Sequence, residues 1–252
     1  MDSLTPDSPV AARVAPSPNH EERRGPIDMI LLHYTGMPSA EAAEKRLCDQ
    51  AAKVSAHYLI FENGAVCQMV PEERRAWHAG VSSWQGETDI NSRSIGIEIA
   101  NPGHDFGYPD FPAAQINAVI ALCRDIVARR CIVPARVLAH SDVAPARKRD
   151  PGEKFPWDRL AAAGVGLWVE PTAIVAGPEL DPGDRSGVIR DLQGWLSDFG
   201  YDVAPTGEYD EGTQVVVSAF QRHYRPARVD GIADHSTIDT LKRLLFVRDA
   251  VA

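Results

Sequence analysis

Two stretches of the chain hold the residues best suited to chemistry. In one, the apolar run Val137-Leu138-Ala139 ends in His140, a loop with Pro145, Arg147, Lys148 and Arg149 follows, and Asp150 stands before Pro151-Gly152. In the other, far upstream, Met29-Ile30-Leu31-Leu32 ends in His33. Histidine and aspartate are both good zinc ligands, and a catalytic zinc takes three protein ligands plus a water. His140 and Asp150, ten positions apart, supply two candidates and His33 the third. A lone histidine after an apolar run is more often a hydrogen-bonded structural residue. The repetition of apolar strand then histidine, together with a loop aspartate, points to a site, because open α/β sheets assemble sites at strand ends.

Further groups belong with these three. Ser94-Ile95-Gly96-Ile97-Glu98-Ile99-Ala100 alternates, so Ile95, Ile97 and Ile99 share one face of a strand and Gly96 and Glu98 the other. A carboxylate there is costly unless it is paired or faces a wet cleft. Glu98 is therefore either a solvated outer-face residue or a catalytic group. Lys148 and Asp150 can face one cleft only if the loop between them is extended; otherwise Arg147, Lys148 and Arg149 form a solvated basic loop. The loop carrying Trp77 and His78 either lines a sugar- or peptide-binding groove or packs on the sheet edge.

Taken in order, His33, Ser94-Ile95-Gly96-Ile97-Glu98, His140 and Lys148-Arg149-Asp150-Pro151-Gly152 resemble the zinc-dependent N-acetylmuramoyl-L-alanine amidases, the group that includes peptidoglycan recognition proteins. The resemblance implies Zn2+ held by His33, His140 and Asp150, with Glu98 as general base and Lys148 as the cation for the developing oxyanion. It implies cleavage of the amide between N-acetylmuramic acid, or its anhydro form, and L-alanine. Some relatives carry a catalytic tyrosine just before the histidine of the hairpin strand. Ala56 precedes His57 here, which places the chain with the glutamate-using branch and leaves His57 a structural role. A non-catalytic peptidoglycan-binding or recognition protein is the alternative, and intact ligand and base positions count against it. An unrelated zinc peptidase is weaker, since no HExxH is present.

The elements that must position these residues read as an α/β fold, a mixed central β-sheet flanked by helices. Residues 28–35 suit a central strand covered on both faces. Ser39 can cap a helix whose buried stripe is Ala40, Ala43, Leu47 and Ala51. Two strand-like runs around Asn63-Gly64 make a hairpin. Asp110 can cap a helix with the stripe Ile116, Val119, Ile120, Cys123 and Val127. Phe155, Trp157 and Leu160 begin a closing helix. Residues 1–26, rich in Pro, Ser, Ala and charge, suggest a flexible arm with a solvated His20. The amidase-like domain spans 27–167. A linker with Pro171, Pro178 and Pro182 covers 168–185.

Residues 186–250 read as three helices. Their motifs Ile189-Arg190-Asp191-Leu192-Gln193, Phe199-Gly200-Tyr201, Thr206-Gly207, Ala219-Phe220-Gln221 and Val229-Asp230-Gly231 resemble the small peptidoglycan-binding domain. That resemblance implies a module that raises local substrate concentration by tethering.

Composition narrows the partners. The net charge of −9 argues against non-specific nucleic-acid binding, which needs a basic face; the family resemblance implies peptidoglycan or a muropeptide as the partner. No run of about 18 apolar residues is present to span a membrane. Cys48, Cys67, Cys123 and Cys131 form no CxxC pair and read as free thiols. The polar start lacks a secretory pattern, so the expected compartment is the cytoplasm, with the periplasm or cell wall as the alternative the C-terminal motifs suggest.

Overall fold

The computed structural model describes residues 5–250. Its strands are β1 (Arg13–Val14), β2 (His20–Glu22), β3 (Met29–Tyr34), β4 (Tyr58–Ile60), β5 (Val66–Gln68), β6 (Arg74–Ala76), β7 (Ser94–Ile99) and β8 (Val137–Ala139). The helices are α1 (Ala40–Leu47), α2 (Ile90–Arg93), α3 (Ala113–Arg130), α4 (His140–Val143), α5 (Trp157–Ala162), α6 (Gly187–Phe199), α7 (Glu211–Tyr224) and α8 (His235–Ala250).

Six strands form a mixed sheet in the order β1-β5-β4-β7-β3-β8. The three strands expected to carry site residues, β3, β7 and β8, are neighbours and parallel. Their near-continuous apolar character is what burial on both faces demands. Ile30, Leu32, Ile95, Ile97 and Ile99 pack on α3 through Ile116, Val119, Leu122, Cys123 and Ile126. Met29, Leu31 and Leu138, on the opposite face, join one continuous core with Ile189, Leu192, Leu196 and Phe220 of the C-terminal helices. The C-terminal unit is thus docked on the face that carries His33 and Glu98, rather than held at the end of a tether.

Most of the local expectations match. Ser39 caps α1, Asn63-Gly64 turns the β4–β5 hairpin with Gly64 at φ 85°, and Gly200 ends α6. Ala51 is exposed and outside the α1 stripe. Asp110 caps nothing; Pro112 precedes α3, and the Asp110 carboxylate pairs with Lys154 at 3.1 Å.

The N-terminal segment differs from the flexible arm expected over 1–26. From residue 5 it lies along the sheet: β1 adds to β5, and β2 pairs antiparallel with β6. Several of its polar side chains bind main chain. Asn19 Nδ2 donates to the carbonyls of Asp49 (2.8 Å) and Val54 (2.9 Å), and the Arg23 guanidinium donates to those of Glu72, Ser92 and Ser94. His20, expected to be solvated, is half-buried and accepts from Arg74 Nε at 3.2 Å. Composition misjudged this segment because its order comes from side chain to backbone bonds, which leave no hydrophobic period.

The 168–185 segment also adheres to the body. Leu180 pairs with Ala233, and the Thr172 amide donates to Thr240 Oγ1 of α8 at 3.1 Å. All four cysteines are free. No helix among the described residues is long and apolar enough to cross a membrane.

Candidate active site

Strand register builds the site. His33 of β3 is opposite Glu98 of β7, and Leu32 is opposite Ala139 of β8, the residue before His140. Three parallel strands therefore end at one level and deliver His33, Glu98 and His140 to one place. Asp150 returns through the loop, and its carbonyl accepts from the Ser141 amide at 3.0 Å.

Three ligand atoms converge. His33 Nδ1 is 2.8 Å from His140 Nδ1 and 3.1 Å from Asp150 Oδ2, and His140 Nδ1 is 2.9 Å from that same oxygen. All three residues are buried. The second nitrogen of each imidazole already has a partner: His140 Nε2 lies 3.0 Å from the Ala79 carbonyl, and His33 Nε2 lies 3.1 Å from His78 Nδ1. Donation from Nε2 to the carbonyl fixes the His140 tautomer and leaves a lone pair on Nδ1. Ser94 Oγ donates to the Ile90 carbonyl at 2.6 Å, and His78 Nε2 faces that hydroxyl at 3.4 Å. A proton on His78 Nε2 leaves its Nδ1 free to accept from His33, whose Nδ1 then also presents a lone pair. Two lone pairs and a carboxylate oxygen meeting at one point, in a buried setting, are what a divalent cation satisfies. The edges are slightly tighter than the ~3.3 Å of a tetrahedral site with ~2.0 Å bonds, so the donor set fits zinc after a small relaxation.

Electrostatics agree with a cation-ready site. Burial, then the neighbouring His140, lowers the His33 pKa to about 4, so its imidazole is neutral and free to ligate. Burial alone would raise the Asp150 carboxyl, but the two imidazoles outweigh it and hold the group ionised. Glu98 is pushed well above the usual carboxylate range by burial and by the Asp150 charge, with Lys148 opposing. Glu98 Oε2 is buried without a hydrogen-bond partner among the described residues.

These groups line one cleft of about 440 Å³, with His33, Trp77, His78, Glu98, His140, Lys148 and Asp150 all on its wall. The chain turns at Ala144, whose carbonyl accepts from the Arg147 and Lys148 amides at 3.0 Å, and then runs on to Asp150. Lys148 and Asp150 both line this cleft. Arg46, Arg147 and Arg149 add positive charge to the lining, against the net acidity of the chain.

The Trp77-His78 loop lines the cleft and is also packed on the sheet. Its backbone is fastened to Ser55, and the His78 ring stands edge-on to His33 at 5.1 Å. His78 therefore stands behind His33, a candidate ligand, within reach of its Nε2. The sequence held one clue that was not read as such: Gly96, where a Cβ would lie 2.4 Å from the His78 ring, is the space that ring occupies. His57 is structural. Its Nδ1 accepts from the Gly96 amide at 2.9 Å, and burial and the Arg23 charge lower its pKa to about 3.

Comparison with known proteins fits this geometry. Residues 23–153 match the N-acetylmuramoyl-L-alanine amidase family, and residues 185–241 match a peptidoglycan binding domain family. The N-acetylmuramoyl-L-alanine amidase AmiD of Escherichia coli is 38% identical over 87% of this chain and 82% of its own length. Its structure, a complex with anhydro-N-acetylmuramic acid-L-Ala-D-γ-Glu-L-Lys, superposes with a TM-score of 0.74 at 36% identity over 91% of this chain and 98% of that one. The 1,6-anhydro-N-acetylmuramyl-L-alanine amidase AmpD of Enterobacter cloacae is 35% identical over 61% of this chain and 90% of its own. AmpDh3 of Pseudomonas aeruginosa, in complex with an anhydromuramic pentapeptide, superposes with a TM-score of 0.69 at 30% identity over 100% of both chains. With ligand atoms, strand carboxylate and loop lysine gathered in one cleft, the chain belongs to the N-acetylmuramoyl-L-alanine amidase family.

Proposed function

We propose that this amidase holds one zinc ion between His33 Nδ1, His140 Nδ1 and Asp150 Oδ2, and acts on anhydromuropeptides, cutting between the lactyl group of the muramyl sugar and L-alanine. The observation that carries the reading is the convergence of the three ligand atoms beside Glu98 and Lys148 in one cleft. A zinc ion there would polarise the amide carbonyl and bring the pKa of a water to near neutrality. Glu98 takes the proton of the attacking water and returns it to the leaving amine. Its raised pKa makes it a stronger base than a solvated carboxylate. Lys148 places its ammonium where the carbonyl oxygen gains negative charge. The cations Arg46, Arg147 and Arg149 suit the carboxylates of a stem peptide. The substrate class draws on the anhydromuramyl peptides named in the AmiD and AmpDh3 complexes.

The test is chelation and reconstitution. Chelated protein should release no L-Ala-headed peptide from anhydromuropeptides, and one equivalent of zinc should restore release. Full turnover by metal-free protein would sink the reading. A cytoplasmic location, where soluble anhydromuropeptides would be met, is part of the proposal and is checked by cell fractionation.

A further inference from the structure

The C-terminal helices touch the catalytic unit at the segment that carries His140, Lys148 and Asp150, and they touch it with polar groups. The Asp142 side chain is fully buried and is the hub. Its Oδ1 accepts from the Tyr201 hydroxyl at 2.8 Å. Its Oδ2 accepts from His223 Nδ1 at 2.6 Å and from the Ala139 amide at 2.8 Å. Ala139 is the residue before His140, so the carboxylate fixes the entry into α4, where the ligand stands.

The His223 ring is clamped between Trp157 and Tyr224, each centroid 3.7 Å away. Its Nε2 is buried without a partner among the described residues, so its one polar contact is Asp142. The residue before it reaches the other end of the segment. Arg222 Nε is 3.6 Å from Glu153, three positions after Asp150. Glu153 in turn holds His104 Nε2 at 3.1 Å, and His104 Nδ1 meets the hydroxyl of Tyr34, the neighbour of His33, at 3.0 Å.

A buried carboxylate is costly unless it is fully bonded, and an apolar contact would dock two units without that cost. What the polar hub adds is a fixed direction for the groups bonded to it. We infer that the C-terminal unit braces the metal-ligating segment, with Tyr201 and His223 acting through Asp142 as positioning residues for His140. The inference rests on the zinc reading above. It gives the unit a task on small substrates, which offer no wall to bind.

The test compares full-length wild type with Tyr201→Phe, His223→Leu and His223→Asn; the last keeps a donor near the Nδ1 position. Zinc affinity is read by competition with a chromogenic chelator. Values of kcat and KM are measured on a soluble anhydromuramyl tripeptide, and retention on insoluble peptidoglycan is measured alongside. His223→Leu should weaken zinc binding and lower kcat by about 10–100-fold, the range seen when partners of metal ligands are removed. KM and retention on peptidoglycan should hold, and His223→Asn should recover most of the loss. Tyr201→Phe deletes one hydroxyl and carries the test if His223→Leu does not fold. Wild-type zinc affinity and kcat in the folded variants, with or without a lower melting temperature, would overturn the brace alone. A wild-type protein that binds no zinc would overturn the metal reading and the brace with it.

Discussion

At the residue scale, the roles proposed for Glu98 and Lys148 make separable predictions. Glu98→Gln keeps the shape of the cleft and removes the base. It should lower turnover by about 10²–10⁴-fold, the usual worth of a positioned acid–base group, while zinc binding holds. Parallel kinetics and metal analysis check both halves. The pH profile tests the environment of the same group. As the proposed base, Glu98 would work deprotonated, and its pKa is raised, so kcat/KM should climb with pH through an acid limb above 4.5. Because the Lys148 charge lowers that pKa, Lys148→Ala should move the limb upward as well as cut kcat by about 10²-fold, as loss of an oxyanion donor does. A limb that stays in place would mean the two groups do not share the cleft in solution. The three candidate ligands His33, His140 and Asp150, by contrast, are individually weak in the sequence and gain meaning only as a set.

At the element scale, register does the positioning. Pairing of β3 with β7 sets His33 beside Glu98, and a one-residue slip would turn one of them to the opposite face of the sheet. The alternation of Ile95, Ile97 and Ile99 against Gly96 and Glu98 makes β7 and its two faces legible in the sequence. It could not say which face was wet. That depends on what covers the sheet, a long-range fact that a two-residue period does not encode. The order of strands and the N-terminal segment were hidden for a related reason, since Arg23 and Asn19 earn their places by bonding to carbonyls remote in sequence. Gly96 is the clearest element-scale test. A methyl there would meet the His78 ring at 2.4 Å, so Gly96→Ala should displace His78 from His33. The melting temperature and zinc affinity should fall together, whereas an unchanged zinc affinity would argue that His78 does not orient the ligand.

At the scale of the whole molecule, the C-terminal unit and the catalytic unit share one core, and Gly200 lies at their seam against Trp84. At φ 143° and with Trp84 2.5 Å from a would-be Cβ, Gly200→Ala should loosen the seam, lowering the melting temperature and exposing Trp84 to a fluorescence quencher. The three-helix unit was legible from its helical periods and turn pairs, but its docking was not, because a tethered module and a packed one have the same local pattern. Buried imidazoles give the metal-free molecule a pH signature. His57 and His33 have folded pKa values of about 3 and about 4, against 6.5 when exposed. Below pH 6.5 the unfolded chain therefore takes up protons that the folded one refuses, and stability should decline as pH falls toward 4, before most carboxylates titrate. Melting curves of chelated protein at pH 7.5 and 5 check this. The most direct test of the account is mass spectrometry of the products from a defined anhydromuropeptide, with zinc-loaded wild type and equally loaded Glu98→Gln side by side. The account predicts a free peptide beginning at L-alanine and a free anhydromuramyl sugar from wild type, and almost none from the variant. Equal release by both, or cleavage at another bond, would contradict it.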